Sequence, residues 1–269
     1  MKPFSVGSGI ASLYQNRDLL RSLVGRELQA KYRATTLGFL WVVIYPLMML
    51  AVYSFVFGVI FGSRWRGQGD IWEFVEMLYC GLIVHALFSE TVSKAPGIIV
   101  NNPNYVKKVV FPLELLPVGN LLTSLFNSLI GFGLLLVFVL AERLCINWTA
   151  IFAPLVLIPI MLYAIGFAWF LAALGVFFRD IEQFIGILMS MLLFLSPVFY
   201  ATSAAPEFAQ KLMIFNPLTY GIEEMRNVLL NGEVLRLMPW GINLAVSSIT
   251  AWCGLWVFER SRPAFADVI

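Results

Sequence analysis

The chain has 269 residues, 60% of them hydrophobic and 13% charged, with a formal charge of +2. Soluble globular proteins carry about 25% charged residues, so the composition excludes that class and predicts an all-α polytopic membrane protein folded as one helical bundle. Cys80, Cys145 and Cys253 form no CxxC pair, the single histidine His85 has no second ligand type at a metal spacing, and there is no phosphate loop or nucleophile elbow.

Residues 1–35 lack the short apolar core and cleavage site of a signal peptide. Ile10, Leu13, Leu20, Val24 and Leu28 recur at helical spacing with Arg17, Arg21, Arg26 and Lys31 between them. That pattern suits an amphipathic helix on an anionic membrane face; an ordinary solvated basic lead-in is the other reading. Residues 36–61 contain no charge. About 20 apolar residues cross the hydrocarbon core as a helix, so this stretch is the first span. Its aromatic residues Trp41, Tyr45, Tyr53, Phe57 and Phe61 recur every fourth or eighth position. They serve either as lipid and packing contacts or as an aromatic wall for something sliding past.

The second span, about 71–92, takes Glu76 and Glu90 into or near the membrane. These carboxylates share one helical face, with Glu73 close to it and His85 roughly opposite. A carboxylate at that depth faces a bundle interior or a wet cavity, unless both lie at headgroup depth. Residues 93–112 form a polar loop carrying Lys94, Lys107 and Lys108 and punctuated by Pro96 and Pro103, with a short helix expected at 95–100 capped by Ser93. The third span, about 115–140, bears a polar and small stripe of Asn120, Thr123, Ser124, Asn127, Ser128 and Gly131. Such stripes mark helix–helix contact in lipid, against the alternative of a substrate-lining face.

Residues 144–178 carry no charge and exceed one straight span, so Pro154 and Pro159 belong to a kinked or interfacial start. Ala164, Ala168 and Ala172 give a packing edge there. A tight turn at 179–182 leads to a fifth span at about 183–200. Residues 201–238 read as two short, half-apolar helices, re-entrant or interfacial, with Gly232 as a stop. The sixth span is about 240–258. Twelve Lys and Arg fall on the side of the two termini against six on the other, which puts both termini in the cytoplasm.

Five stretches in this order resemble the membrane permease of type-2 ABC exporters for polysaccharides, the Wzm-like O-antigen and teichoic acid transporters. They are RELQAKYRATTLGFLWVVIYPLMMLAVYSFVF, KKVVFPLELLPV, VFFRDIEQF, LSPVFY and FNPLTYGIEEMRNVLLNG. The resemblance covers nearly the whole chain. It implies a multi-pass bacterial inner-membrane subunit, residues 1–35 as a cytoplasmic interface helix and 36–269 as a six-span domain. It further implies a homodimer, two copies of a separate ATPase that binds ATP and magnesium, a lipid-linked polysaccharide substrate, and neither a nucleic-acid partner nor a cofactor on this chain. By the same resemblance, Trp41, Tyr45, Tyr53, Phe199 and Tyr200 line the substrate path. Loop 93–112 couples to the ATPase through Lys94, Pro96, Asn101, Asn102, Lys107 and Lys108. Residues 201–238 form a periplasmic gate around Asn216, Pro217, Glu223, Glu224 and Arg226. The rival readings are a small-molecule exporter of the same superfamily, a proton-coupled carrier using the Glu76 and Glu90 face, and a membrane transferase, which one histidine and no convergent acids argue against.

Overall fold

The computed structural model describes residues 16–33, 37–62, 65, 70–107 and 111–268. Expectations for residues 1–15 and for Lys108 lie outside the described residues. Every regular element among those described is helical.

Helix α1 (Arg17–Arg33) buries Leu23, which packs beside Gly119 at the start of the third span. A 3-10 turn (Gly38–Leu40) opens α2 (Trp41–Tyr53), which holds Pro46 and widens into a π-helical turn over Ser54–Ile60. Helix α3 (Ile71–Lys94) starts at an Asp70 cap and is the most enclosed of the long helices. The short helix expected at 95–100 is instead a run of hydrogen-bonded turns, buried at Ala95 and Ile99. The short helix lies one step later, as α4 (Pro103–Lys107), because proline at a first helical position forgoes no hydrogen bond.

Helix α5 (Leu115–Arg143) ends at Leu144 in the left-handed region. A 3-10 turn (Trp148–Phe152) then leads into α6 (Ala153–Phe177), with Pro154 in its first turn and Pro159 inside. The charge-free stretch is thus divided into an entry turn and a span. Helix α7 (Ile181–Leu195) stops where Ser196 turns extended ahead of Pro197. Then come α8 (Glu207–Met213) and α9 (Pro217–Arg226), the latter continuing as a π-helical turn (Asn227–Asn231) that Gly232 ends at φ 70°. Helix α10 (Leu237–Ser261) is followed by α11 (Phe265–Val268), whose Phe265 is fully buried.

Among the described residues, five stretches are long and apolar enough to cross a membrane: Gly38–Ile60, Ile71–Lys94, Leu115–Arg143, Trp148–Phe177 and Leu237–Ala264. Helix α7 has 15 residues, about 22 Å at the helical rise.

Contacts sort the bundle into two ends. At one, Thr123 donates to Glu27 of α1 at 3.0 Å and Arg262 donates to Glu114 at 3.2 Å. At the other, Arg143 donates to the Leu230 carbonyl at 2.9 Å and Thr149 to Val228 at 2.6 Å. Helix α1 and the end of α10 therefore share one end, and the 201–238 hairpin sits at the opposite one. The closest helix pair is α6 with α10, where any side chain on Gly254 would overlap the Gly166 carbonyl.

Candidate substrate cleft and its two ends

A cleft of about 830 Å³ lies between α2, α3, α5 and α7. Helix α2 supplies Trp41, Tyr45 and Tyr53 to it, all from the charge-free run. Trp41 is 38% exposed and Tyr45 63%. Polar groups gather towards the α1 end, among them Ser89, Glu90, Ser93, Lys94, Asn127 and Ser128. Farther in, the wall is aromatic and aliphatic, with Tyr53, Tyr79, Leu82 and Leu193.

At the α1 end Lys94 donates to Glu90 at 3.0 Å, and Asn127 donates to the same carboxylate at 3.1 Å. Glu27 lies close by. Burial raises its carboxyl above the ordinary value, opposed by the Thr123 hydrogen bond and the charges of Lys94 and Arg26. Arg26 donates to the Tyr105 hydroxyl at 2.5 Å, and its guanidinium stands 5.4 Å from that ring. Helix α1 is thereby joined to α4. The buried Pro96 presses its backbone on Gly175, where even a methyl group would overlap the Pro96 carbonyl. Asn102 donates to the Ile98 carbonyl at 2.9 Å, while Asn101 and Lys107 are exposed.

Aromatic rings close the inner end. Phe199 is buried and stacks on Phe57 at 4.6 Å and on Phe194 at 5.2 Å, with Tyr53 edge-on at 5.2 Å. Tyr200 is half-buried and donates to the Phe194 carbonyl at 3.0 Å. Behind the stack, Asn216 caps α9 by accepting from the Leu218 amide at 2.9 Å and donates to the Ser196 hydroxyl at 2.9 Å. Pro217 opens the helix. Thr202 donates to Glu223 at 2.8 Å, and the fully buried Glu224 takes three hydrogen bonds from Arg236. Arg226 is 1% exposed and donates to the carbonyls of Met77, Pro197 and Val198.

The sequence places Glu76 and Glu90 on one face of α3, and both do face α5. Their surroundings differ. Glu76 is fully buried in an ion pair with Arg143, whereas Glu90 is at the cleft mouth beside Asn127. His85 faces α7, with Nε2 3.2 Å from the Met189 carbonyl. The α5 stripe serves two purposes. Asn120 donates to the Thr91 carbonyl at 2.8 Å within the helix contact, while Asn127, Ser128 and Gly131 line the cleft.

The cleft unites Trp41, Tyr45, Tyr53, Glu90 and Lys94. Phe199, Tyr200 and the hairpin residues form a separate cluster at its inner end. Glu27, Tyr105, the Phe194 ring that stacks on Phe199 and the Arg143 partner of Glu76 belong to these sites without having been singled out by sequence pattern. Among the described residues no group of three or more His, Cys, Asp or Glu gathers to hold a metal ion.

A family model described as ABC-2 type transporter matches residues 18–230. The chain is 30% identical over 262 residues to the O-antigen export system permease protein RfbA of Myxococcus xanthus, covering 97% of this chain and 98% of that one. It is 25% identical over 258 residues to the protein of the same name from Klebsiella pneumoniae, covering 94% and 95%. It is also 23% identical over 257 residues to the polysialic acid transport protein KpsM of Escherichia coli, covering 91% and 94%.

Proposed function

The chain belongs to the ABC-2 type transporter family, and we propose that it is the membrane permease subunit of an ATP-driven exporter of lipid-linked polysaccharide. It is a transport subunit and not an enzyme. A separate ATPase subunit binds ATP and magnesium and hydrolyses the nucleotide. The substrate class follows the relatives, which are named for O-antigen export and polysialic acid transport.

The observation that carries this reading is the cleft, polar at the α1 end and aromatic within. A polysaccharide offers C–H faces and hydroxyls, and it must bind weakly enough to keep moving. Flat aromatic surfaces supply contact area without fixed hydrogen bonds, and many weak contacts favour passage over capture. Trp41, Tyr45 and Tyr53 line the path in this account, with Phe199 and Tyr200 at its inner limit. A proton-coupled carrier is less well served, because it needs a carboxylate that loads and releases a proton, and Glu76 is closed in by Arg143.

Two copies form the channel in a bacterial inner membrane, with exposed aromatic and aliphatic faces of α2 and α7 directed to lipid or to the other copy. Six crossings fit the chain, α7 together with residues 196–200 making the fifth. In support, α7 begins beside Gly97 at the α1 end, through Glu182, and its exit meets Arg226 in the hairpin. The hairpin is re-entrant in this account, since Gly221 lies against Ile160 and near Val84 in the middle of α3. The excess of Lys and Arg at the α1 end supports cytoplasmic termini. There the turn at 95–101 and α4, with Lys94, Pro96, Asn101, Asn102 and Lys107, receive the ATPase.

Purification of the tagged chain from its native host tests this reading. A stoichiometric ATPase partner, with hydrolysis abolished by a catalytic substitution in that partner, is the expected result. A chain that comes alone, without nucleotide hydrolysis, would overturn it.

A further inference from the structure

Arg226 joins four separate segments. It leaves α9 and reaches α3, where Nε donates to the Met77 carbonyl at 2.9 Å. Its two other nitrogens donate to consecutive carbonyls of the turn after α7, Nη1 to Pro197 at 2.6 Å and Nη2 to Val198 at 2.8 Å. The Trp65 ring covers the guanidinium at 4.3 Å. Gly81 makes the room: a Cβ there would stand 2.8 Å from Nη2 and 3.3 Å from the Val198 Cα.

The two consecutive carbonyls belong to the peptide planes that lead into Phe199. Fixing both planes fixes φ and ψ of Val198 and places the Phe199 nitrogen and Cα, leaving φ as the one backbone angle that directs its side chain. A guanidinium presents its donors in a rigid planar fork, whereas an ammonium is a point charge on a flexible stem. The 199 ring so directed enters the stack with Phe57 and Phe194 at the inner end of the cleft.

We propose that Arg226 is the positioning residue that sets Phe199 across the polymer route, a role that rests on the export reading above. A residue that only filled space or carried a charge would be replaceable by lysine. One that orients two peptide planes would not.

The test places 4-fluorophenylalanine at position 199 of the full chain, purified with its ATPase in lipid nanodiscs, and records the fluorine resonance. Stacking gives the native protein a ring-current-shifted signal. Arg226→Gln and Arg226→Lys both lose that shift, and Gly81→Ala, which keeps the charge and displaces the guanidinium, loses it too. If Arg226→Gln fails to fold, Gly81→Ala alone decides. An unchanged signal in Gly81→Ala and in any folded Arg226 variant, or full rescue by lysine, would overturn the proposal. ATP-driven polymer movement by the native complex is assayed in parallel. Its failure counts against the export reading and leaves the fluorine result to decide the Arg226 role.

Discussion

Phe57 and Phe199 stack with centroids 4.6 Å apart and planes inclined at 24°. They come from the π-helical turn that continues α2 and from the turn after α7, two segments far apart in the chain. Stacked pairs contribute about 0.5–1.5 kcal/mol beyond the area they bury. Phe199→Leu keeps an apolar group of similar bulk and loses the stack. The variant loses three such ring contacts, with Phe57, Phe194 and Tyr53, so thermal unfolding is expected to show a modest loss, while polymer display at the cell surface falls well below the native level.

Glu76 and Arg143 make the second testable pair. Glu76 is fully buried and Arg143 partly so. Removing one member of a buried pair costs about 3–5 kcal/mol, because the other charge stays uncompensated. Arg143→Met is therefore expected to be strongly destabilised in detergent unfolding assays. The double change Glu76→Gln with Arg143→Met is expected to recover most of that loss. Equal losses in the single and double variants would show that the pair is not what the site depends on.

Gly175 and Gly133 separate close packing from open space. Any Cβ at Gly175 meets the Pro96 backbone, whereas nothing stands within 4 Å of one at Gly133. Forcing extra atoms into a packed site costs about 1–3 kcal/mol, here at the turn proposed to receive the ATPase. Gly175→Ala should lower polymer-stimulated ATP hydrolysis. Gly133→Ala should leave it unchanged and add up to about 1 kcal/mol of helix stability.

Tyr105 and Arg26 link α4 to α1 through a hydrogen bond to the Tyr105 hydroxyl and a guanidinium standing 5.4 Å from its ring. Tyr105→Phe keeps the ring and removes that acceptor. A net hydrogen bond of about 1 kcal/mol corresponds to roughly fivefold in an equilibrium. The ratio of stimulated to basal hydrolysis is expected to fall by that order, with the amount of chain in the membrane unchanged.

Much of the fold was legible because lipid imposes simple rules. A charge-free run of sufficient length must be helical, and residues 36–61 became Gly38–Ile60. Punctuation was legible as well: Gly232 stops the hairpin, while Asn216 and Pro217, which sequence marks as a break, turn out to cap and open α9. The short helix before α5 was misplaced, because Pro96 and Pro103 both offer a legitimate helix start and only packing against Gly175 selects a turn at the first. Pairings of distant residues left no periodic trace. Glu76 finds Arg143 67 positions later, and Arg226 finds Pro197 29 positions earlier. The shared face of Glu76 and Glu90 was readable from helical spacing. Their separate surroundings depend on which end of α5 each one meets.

Inverted membrane vesicles carrying the chain and its ATPase give the most direct test of polymer export. Lipid-linked polysaccharide is supplied outside, and the fraction that becomes protected from an added glycosidase is measured. The account predicts protection that requires ATP in the native complex and disappears in the Trp41→Ala, Tyr45→Ala double variant, whose ATPase pairing stays intact. Polymer that remains fully accessible with ATP in the native complex, or equal protection in the double variant, would contradict it.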